Sequence, residues 1–563
     1  MAIAHFFILM LENRSFDHIF GFSPIAGTDA VTGKPTTIDR PDPAVNINTD
    51  TQTNPTNPTA YPVHNGADFS FEGLDLDPGH EFFDVQQQLA GPNLGFVNNY
   101  AGQKTTNPDR KTANPGRVMD CFSPTQLPVL NQLAAEFAIC DHWHSSLPGP
   151  TWPNRFFMMA ATSGGLTKSP TTADIIKATA LKGYDFENGN FFDALDKNDV
   201  PWCIVEGDDF PVSFALKGMD ANDAKGRFVC IDDFATKLAQ PDFNEQFIWI
   251  EPMYGSHKFD VTGPGDFSGG NSMHPLDDVR KGELLVKQVY EAIRAVPAVW
   301  ENSAILILFD EHGGFYDHIT PPSATPPGDD PINAAPDQAP FDFNQLGVRV
   351  PAIIISPLIP KGLIDHTVYD HTSALATFER QNEMSFLTHR DENAKDFSHL
   401  FSLAAPRTDT PPTLVNPATA AVANALAARP QETAESLKGE LASLEPIPES
   451  AAAADGAVGA VGAGAADGAV GAAAADGAVG AGAAVAAVAA GPAAAAVAQP
   501  VSGPQVGFAY VGLMRALSQA STAEEKAAWK KEFSEIHTPR DAARFMTRAK
   551  LKVRFGEYIP RGA

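Results

Sequence analysis

Two apolar runs in this chain end abruptly in acidic and amide side chains. AIAHFFILML is followed by Glu12, Asn13, Arg14 and Ser15, and AILILF by Asp310, Glu311 and His312. Carboxylates gathered at one place repel each other unless a cation lies between them. The mainly oxygen donors of Glu12, Asn13, Asp310 and Glu311 suit a hard divalent ion, and the neighbouring histidine also admits zinc. A third stretch, CDHWHSSLPGPTWPNRFF, carries a hydroxyl in an unusual place. Pro148, Gly149, Pro150 and Pro153 exclude a regular element across it, so Thr151 and Asn154 sit in a stiff turn. Helix resumes with RFFMMAATSGG, which puts Thr151 close to a helix N-terminus, where backbone N–H groups favour an anion. A metal-coordinated hydroxyl there can lose its proton and attack phosphorus. The plainer readings are that Asn13 or Ser15 caps a helix beginning near Phe16, that Asp310 caps a turn, and that Thr151 is a structural turn residue.

These groups need elements to bring them together. A continuous apolar run without polar alternation is the pattern of a central strand in a helix-covered parallel sheet, and ligand sites in such sheets lie just beyond the carboxyl ends of the strands. The patterns predict strands over 3–11, 202–206, 246–251, 304–309 and 352–356, and helices over 127–137 and 277–296. Strands alternating with helices predict an α/β sandwich with a mostly parallel central sheet. The Thr-, Asn-, Asp- and Pro-rich segment 28–66 reads as a long surface excursion.

The 563 residues leave room for a large core and more than one unit. Composition is ordinarily globular over 1–400 and changes beyond it, with 401–450 read as an extended linker. Over 451–500 the chain is almost pure Ala, Gly and Val, with DGAVGA recurring at Asp455, Asp467 and Asp476, a low-complexity linker that cannot build a core. Order is expected to return over 501–563, where Thr522 and Glu525 form a capping box and Thr538-Pro539 opens a further helix running to about Val553. Lys530, Lys531, Arg540, Arg544, Arg548, Lys550, Lys552 and Arg554 make this tail locally basic, suited to docking on an acidic main body, to touching anionic lipid, or to a solvated face.

A net charge of −28 argues against a nucleic-acid partner, and an anionic substrate would need local attraction from a cation or placed His and Arg residues. Cys121, Cys140, Cys203 and Cys230 have no C-x-x-C spacing, which supports neither a zinc ribbon nor a thioredoxin-like site. The first apolar run lacks a basic flank and a cleavage site, and no segment has membrane-spanning character. The resulting expectation is a soluble, cytoplasmic protein.

ENRSFDHIFG, GPTWPNRFF, MHPLDDVRKGE and FDEHGGFYDH resemble, together, the bacterial phospholipase C and acid phosphatase phosphoesterase family, over roughly residues 1–390. The resemblance implies an alkaline phosphatase-like α/β/α fold and a metal-dependent phosphoric ester hydrolase working through a covalent phospho-enzyme. It places Glu12, Asn13, Asp310 and Glu311 on the metal and Thr151 at the nucleophile position, where it would also ligate the ion. His80, in DPGHEF, and His274, in MHPLDD, match histidines near the phosphoryl group that stabilise charge or protonate a leaving group. Asn154 would offer an amide to a phosphoryl oxygen, and Arg155 either does likewise or supports the loop by pairing with a carboxylate. Phospholipase C members resemble this chain in having Thr at the nucleophile position, whereas acid phosphatase members have Ser. Those phospholipases typically continue into C-terminal β-domains, and nothing after residue 400 reads as repeated strands; export is also common among them. A phosphoester, with phospholipid among the candidates, is the implied substrate. An acid phosphatase-type phosphomonoesterase and a non-catalytic cation-binding surface protein remain the alternatives.

Overall fold

The computed structural model describes residues 3–71, 76–103, 114–170, 183–209, 211–255, 269–334, 338, 340–418, 433–443, 503–537 and 539–559. The linker reading of 451–500 and the Thr538 start of the last helix lie outside the described residues, as does most of 401–450 beyond residue 418.

Ten strands form one sheet: β1 (His5–Leu11), β2 (Ala26–Asp29), β3 (Pro35–Thr37), β4 (Ala138–Cys140), β5 (Trp202–Glu206), β6 (Phe228–Cys230), β7 (Phe247–Glu251), β8 (Ser303–Phe309), β9 (Ala352–Ile355) and β10 (Leu363–Asp365). Their order across the sheet is β6-β5-β7-β1-β8-β9-β4-β10-β2-β3. Pairing is parallel except where β9 runs against β8 and β4, and at the β2-β3 edge. The predicted strands are all present. The 28–66 segment is largely exposed, as expected of a surface excursion, and its first part in addition pairs with the sheet edge as β2 and β3, while Ile47–Asp50 pairs with Thr59–Pro62 in a separate ribbon. Backbone hydrogen bonds along an open edge outweigh the segment's weak apolar pattern.

β1 and β8 lie at the centre. Phe6–Leu11 and Ser303–Phe309 are buried throughout, as expected of strands covered on both faces. Successive side chains of β1 point to opposite faces. Phe6 meets Phe378, on the helix Thr372–Gln381, with ring centroids 6.0 Å apart, whereas Phe7 meets Phe234, on the helix Phe234–Leu238, at 6.2 Å. Those helices therefore cover opposite faces, and the architecture is an α/β/α sandwich.

A buried ion network closes one side of the sheet's carboxyl edge. Arg349 donates to Asp17 and Asp317 at 2.8 Å each, and His318 lies 2.7 Å from Asp17 and 3.2 Å from Asp39. This ties the ENRSFDH turn to the GGFYDH turn.

The C-terminal segment folds into helices Gly503–Gln519, Ala523–Ser534 and Pro539–Phe555. Thr522 caps the second, accepting from Glu525 N, but the reciprocal half of the predicted capping box is displaced by one residue, the Glu525 side chain accepting from Ser521 N at 3.0 Å. Of the three settings open to the tail, the structure has it docked. Gly503–Gln519 packs on the turn Val212–Ala215 and the helix Met219–Asp223. Arg515, almost fully buried, bonds Glu206 at 2.7 Å and the Asp209 carbonyl at 3.0 Å, with its guanidinium over Phe214 and Phe228. Much of the tail's basic charge is also internally paired, Arg548 with Glu532 at 3.0 Å and Lys552 with Glu525 at 2.8 Å. No helix among the described residues is long and apolar enough to cross a membrane.

Burial raises the Glu206 carboxyl to about 7 despite Arg515, so this pair shields an expensive charge. Arg515→Ala should cost about 3–5 kcal/mol in denaturant unfolding, the scale for stripping one partner from a buried pair. Glu206→Gln in the same chain should recover part of that loss; no recovery would mean the pair is not the source. A second expectation concerns His318. Burial opposes its cation, but hydrogen bonds to Asp17 and Asp39 and the charge of Asp317 outweigh this and raise it to about 10. A folded value above the ordinary 6.5 stabilises fully below about pH 6.5 and is lost as pH climbs towards 10. His318→Gln should therefore lose most stability near pH 6 and progressively less towards pH 10, as read from unfolding midpoints across that range.

Candidate active site

The register of β1 on β8 pairs Leu11 with Phe309, so the next residues, Glu12 and Asp310, leave the sheet side by side. Asp310 N donates to the Leu11 carbonyl at 3.2 Å, and Asn13 N donates to Asp310 Oδ1 at 3.0 Å. Asn13 adopts φ 59°, a left-handed conformation that Asn tolerates better than most residues, and the chain turns sharply there. Its carbonyl lies so close to Gly313 (φ +64°) that a Cβ added at Gly313 would stand 2.0 Å from it. At Gly314, φ +76°, an added Cβ would come within 2.6 Å of the Gly79 carbonyl. The paired glycines of DEHGG thus admit the Asn13 turn on one side and the His80 loop on the other.

Thr151 is the first residue of the helix Thr151–Ala160, and its hydroxyl donates to Asn13 Oδ1 at 3.2 Å. One turn along, on the same face, Arg155 is buried between the carboxylates: Nε lies 3.0 Å from Asp310 Oδ2 and a terminal nitrogen 3.8 Å from Glu12. Arg155 therefore pairs with carboxylates, the second of its two expected roles. Asn154 faces the other way. Its amide accepts from Leu147 N at 3.1 Å and donates to the carbonyls of Gly149, Pro150 and Leu147, so it clamps the Pro-rich turn and is not offered to a substrate oxygen. Ser15 caps the helix Phe16–Phe20, the plainer reading of that residue, and Ser146 accepts from His371 N.

The histidines converge from loops. His80 Nδ1 donates to the Pro78 carbonyl at 2.8 Å, leaving Nε2 towards Asn13, 3.5 Å from its amide nitrogen. His274 Nε2 stands 3.4 Å from Asp77, and the two imidazole centroids are 6.5 Å apart. Arg14 anchors this turn by donating to the Met273 and His274 carbonyls. Burial disfavours both imidazolium ions, yet Glu311, Asp77 and Glu81 together raise His80 to about 10, and Asp77 with Glu12 raises His274. Asp77 is itself held low, its burial outweighed by the two histidines.

The carboxylates are short of positive charge. Burial raises Glu12 to about 7 and pushes Asp310 upward, with Arg155 opposing in both. Arg155 cannot serve all three. Glu311 accepts from Gly313 N at 2.7 Å through Oε2, while its buried Oε1 has no partner among the described residues. An orphaned, buried carboxylate oxygen on the residue that follows Asp310 is the kind of group a hard divalent cation satisfies. Among the described residues two groups bring three ligand atoms within 4.8 Å of one another, Asp17 with Asp317 and His318, and Asp141 with His142 and His366; Glu12, Asp310 and Glu311, with Arg155 paired to the first two, are not such a group.

The sequence reading missed several contributors. Tyr254 links Arg155 (2.8 Å) to Glu251 (2.6 Å), which also accepts from Val212 N and Ser213 N. Glu251 ends the apolar run FIWIE as Glu12 and Asp310 end theirs, so the same signature marks it. Asp77 lies three residues before His80 and was equally legible. His371, which donates from Nε2 to the Asp310 carbonyl at 2.7 Å, carries no local signal.

Residues 3–385 match the model of the phosphoesterase family. The chain is 34% identical over 457 residues to "Non-specific phospholipase C6" of Arabidopsis thaliana, covering 78% of this chain and 79% of that one. It is 28% identical over 458 residues to "Phospholipase C B" of Mycobacterium tuberculosis, covering 74% and 80%. Among solved structures, a protein in the alkaline phosphatase superfamily from Vibrio parahaemolyticus aligns with a TM-score of 0.28 and 12% identity over 51% of this chain and 65% of that one. By the match over 3–385 and the identity along most of its length, the chain belongs to the phosphoesterase family.

Proposed function

We propose that this phosphoesterase is a metal-dependent hydrolase of phospholipase C type in which Thr151 forms a covalent phospho-threonine. The observation that carries the reading is the Thr151 hydroxyl, at a helix N-terminus and 3.2 Å from Asn13, beside three buried carboxylates with a single guanidinium among them. A divalent ion held by Glu12, Asn13, Asp310, Glu311 and Thr151 would supply Lewis-acid neutralisation of the hydroxyl and of a phosphoryl oxygen. The residues themselves do the rest. Thr151 Oγ1 bonds to phosphorus as its proton passes to water, and the bond to the leaving oxygen breaks. His80 and His274, whose proton affinity the neighbouring carboxylates raise, donate to phosphoryl oxygens or to that leaving oxygen. Water then attacks the phospho-threonine, releases the phosphate product and restores the hydroxyl. Arg155 keeps Glu12 and Asp310 from moving apart and, through Tyr254 and Glu251, is fixed to the neighbouring strand.

The diester rather than the monoester is preferred because the relatives named above are phospholipases C and because the attacking residue is Thr. Comparing turnover of a phosphocholine diester with that of a simple monoester separates these readings, and metal binding without any turnover would favour the non-catalytic one.

Thr151→Ala should retain the fold and lose turnover by on the order of 10^6-fold, the scale for deleting a nucleophile. Thr151→Ser should keep measurable activity, since it keeps the oxygen but not the β-branch that stiffens χ1. Acid quenching of the wild-type protein with labelled substrate should place the label on the peptide containing Thr151; label elsewhere, or near-normal turnover in Thr151→Ala, would refute the assignment. Asp310→Asn should lower divalent-metal content and activity together, by roughly 100-fold or more in affinity. Full metal content with full activity in that variant would remove Asp310 from the ion.

A further inference from the structure

A second place along the same sheet edge gathers ligands of a different kind. β4 and β10 are parallel neighbours, and their register sets Cys140 against Asp365. The residues that follow, Asp141-His142 and His366, therefore emerge together. His366 Nδ1 lies 2.9 Å from both oxygens of Asp141, and ligand atoms of Asp141, His142 and His366 all fall within 4.8 Å of one another. Ligands about 2.1 Å from a tetrahedral ion stand roughly 3.4 Å apart, so small side-chain rotations close the set. The outer contacts are those of a metal site. His366 uses its other nitrogen on the Thr36 hydroxyl at 3.0 Å, which leaves Nδ1 for an ion. Asp39 N donates to Asp141 Oδ2 at 2.7 Å, and the Asp39 carboxylate stands 3.4 Å from His142.

The comparison with Asp17, Asp317 and His318 is decisive. There a guanidinium already takes the cation's place, since Arg349 bonds both carboxylates at 2.8 Å. At Asp141 the same arginine reaches only the main-chain carbonyl, at 2.7 Å. Asp141 is buried, while His142 and His366 are partly open to solvent, which leaves a side for a water ligand.

We infer that Asp141, His142 and His366 form a second metal site, taking a transition-series divalent cation such as Zn2+ and pinning the 36–39 segment to the ends of β4 and β10. The site is two strands beyond β8, on the order of 10 Å along the edge from Asp310, so it is separate from the proposed catalytic ion. Two imidazoles and one carboxylate prefer zinc-like ions, whereas the oxygen set around Asp310 prefers harder ones. The two sites are therefore distinguishable by metal as well as by mutation.

The test uses the full chain carrying Asp310→Asn, which weakens the catalytic ion, titrated with Zn2+ against a chromophoric chelator in excess Mg2+. One tight equivalent is expected. His366→Gln and His142→Gln, each added to that background, should weaken it by roughly 100-fold or more. Co2+ in place of Zn2+ should give visible d–d absorption that disappears in both. His142 is partly exposed and meets the Asp39 carboxylate at 3.4 Å, whereas His366 ties Asp141 to Thr36, so the His142 variant reports on the ion even where His366→Gln unfolds. Unchanged Zn2+ binding in the His142 variant, or no tight Zn2+ in the Asp310→Asn chain, overturns the inference. In the otherwise wild-type chain His142→Gln should leave ester hydrolysis near normal, and its failure to bind Zn2+ says nothing against Thr151.

Discussion

The pairing of β1 with β8 is the constraint on which the molecule's chemistry rests. Residues 11 and 309 lie far apart in the chain, and the parallel register that pairs them sets Glu12 beside Asp310. Both strands are buried on both faces, so the penalty for a slip is a carboxylate drawn into the core without a partner. Arg155 enforces the arrangement from the helix side. It is buried with its charge held firmly, pulled up by Tyr254, Asp310, Glu12 and Glu251 against the cost of its burial.

Charge around the site is distributed in layers. Arg155 answers Asp310 and Glu12, while His80 and His274 share Asp77. Glu311 keeps an oxygen with no partner among the described residues. One guanidinium between Glu12 and Asp310 therefore leaves the three carboxylates with a surplus of negative charge. Such a surplus is costly to fold and is what a site for a divalent ion and an anionic ester requires, because each later supplies the charge the other needs.

The docked tail belongs to the same fabric. Glu251 receives backbone N–H groups from Val212 and Ser213, and Phe214, the next residue, lies under the Arg515 guanidinium. Glu206 and Glu251 end neighbouring strands in register. The tail helices therefore cover the strand end adjacent to the one that holds Tyr254 and, through it, Arg155.

Local pattern carried much of this. The apolar runs, their abrupt polar ends, the Pro-rich turn and the helix cap at Thr522 are all short-range features, and their physical causes act within a few residues: burial on both faces, a restricted φ at proline, a side chain satisfying a free N–H. Glu251 and Asp77 were as legible and went unread. Other features were not in the sequence at all as isolated segments. That Asn154 clamps its own turn, that Asn13 turns through a left-handed φ because Gly313 yields space, and that His371 bonds the Asp310 carbonyl follow from which segments come to lie together. The start of segment 28–66 joined the sheet because an edge was free to pair with it, and Arg515 found Glu206 across a long intervening chain. The sequence by itself determined which residues could form strands and which could bear charge or attack. Tertiary structure decided which carboxylates meet, which arginine stands between them and which are left short of a cation, since electrostatic energy depends on distance through space and the chain order does not specify it.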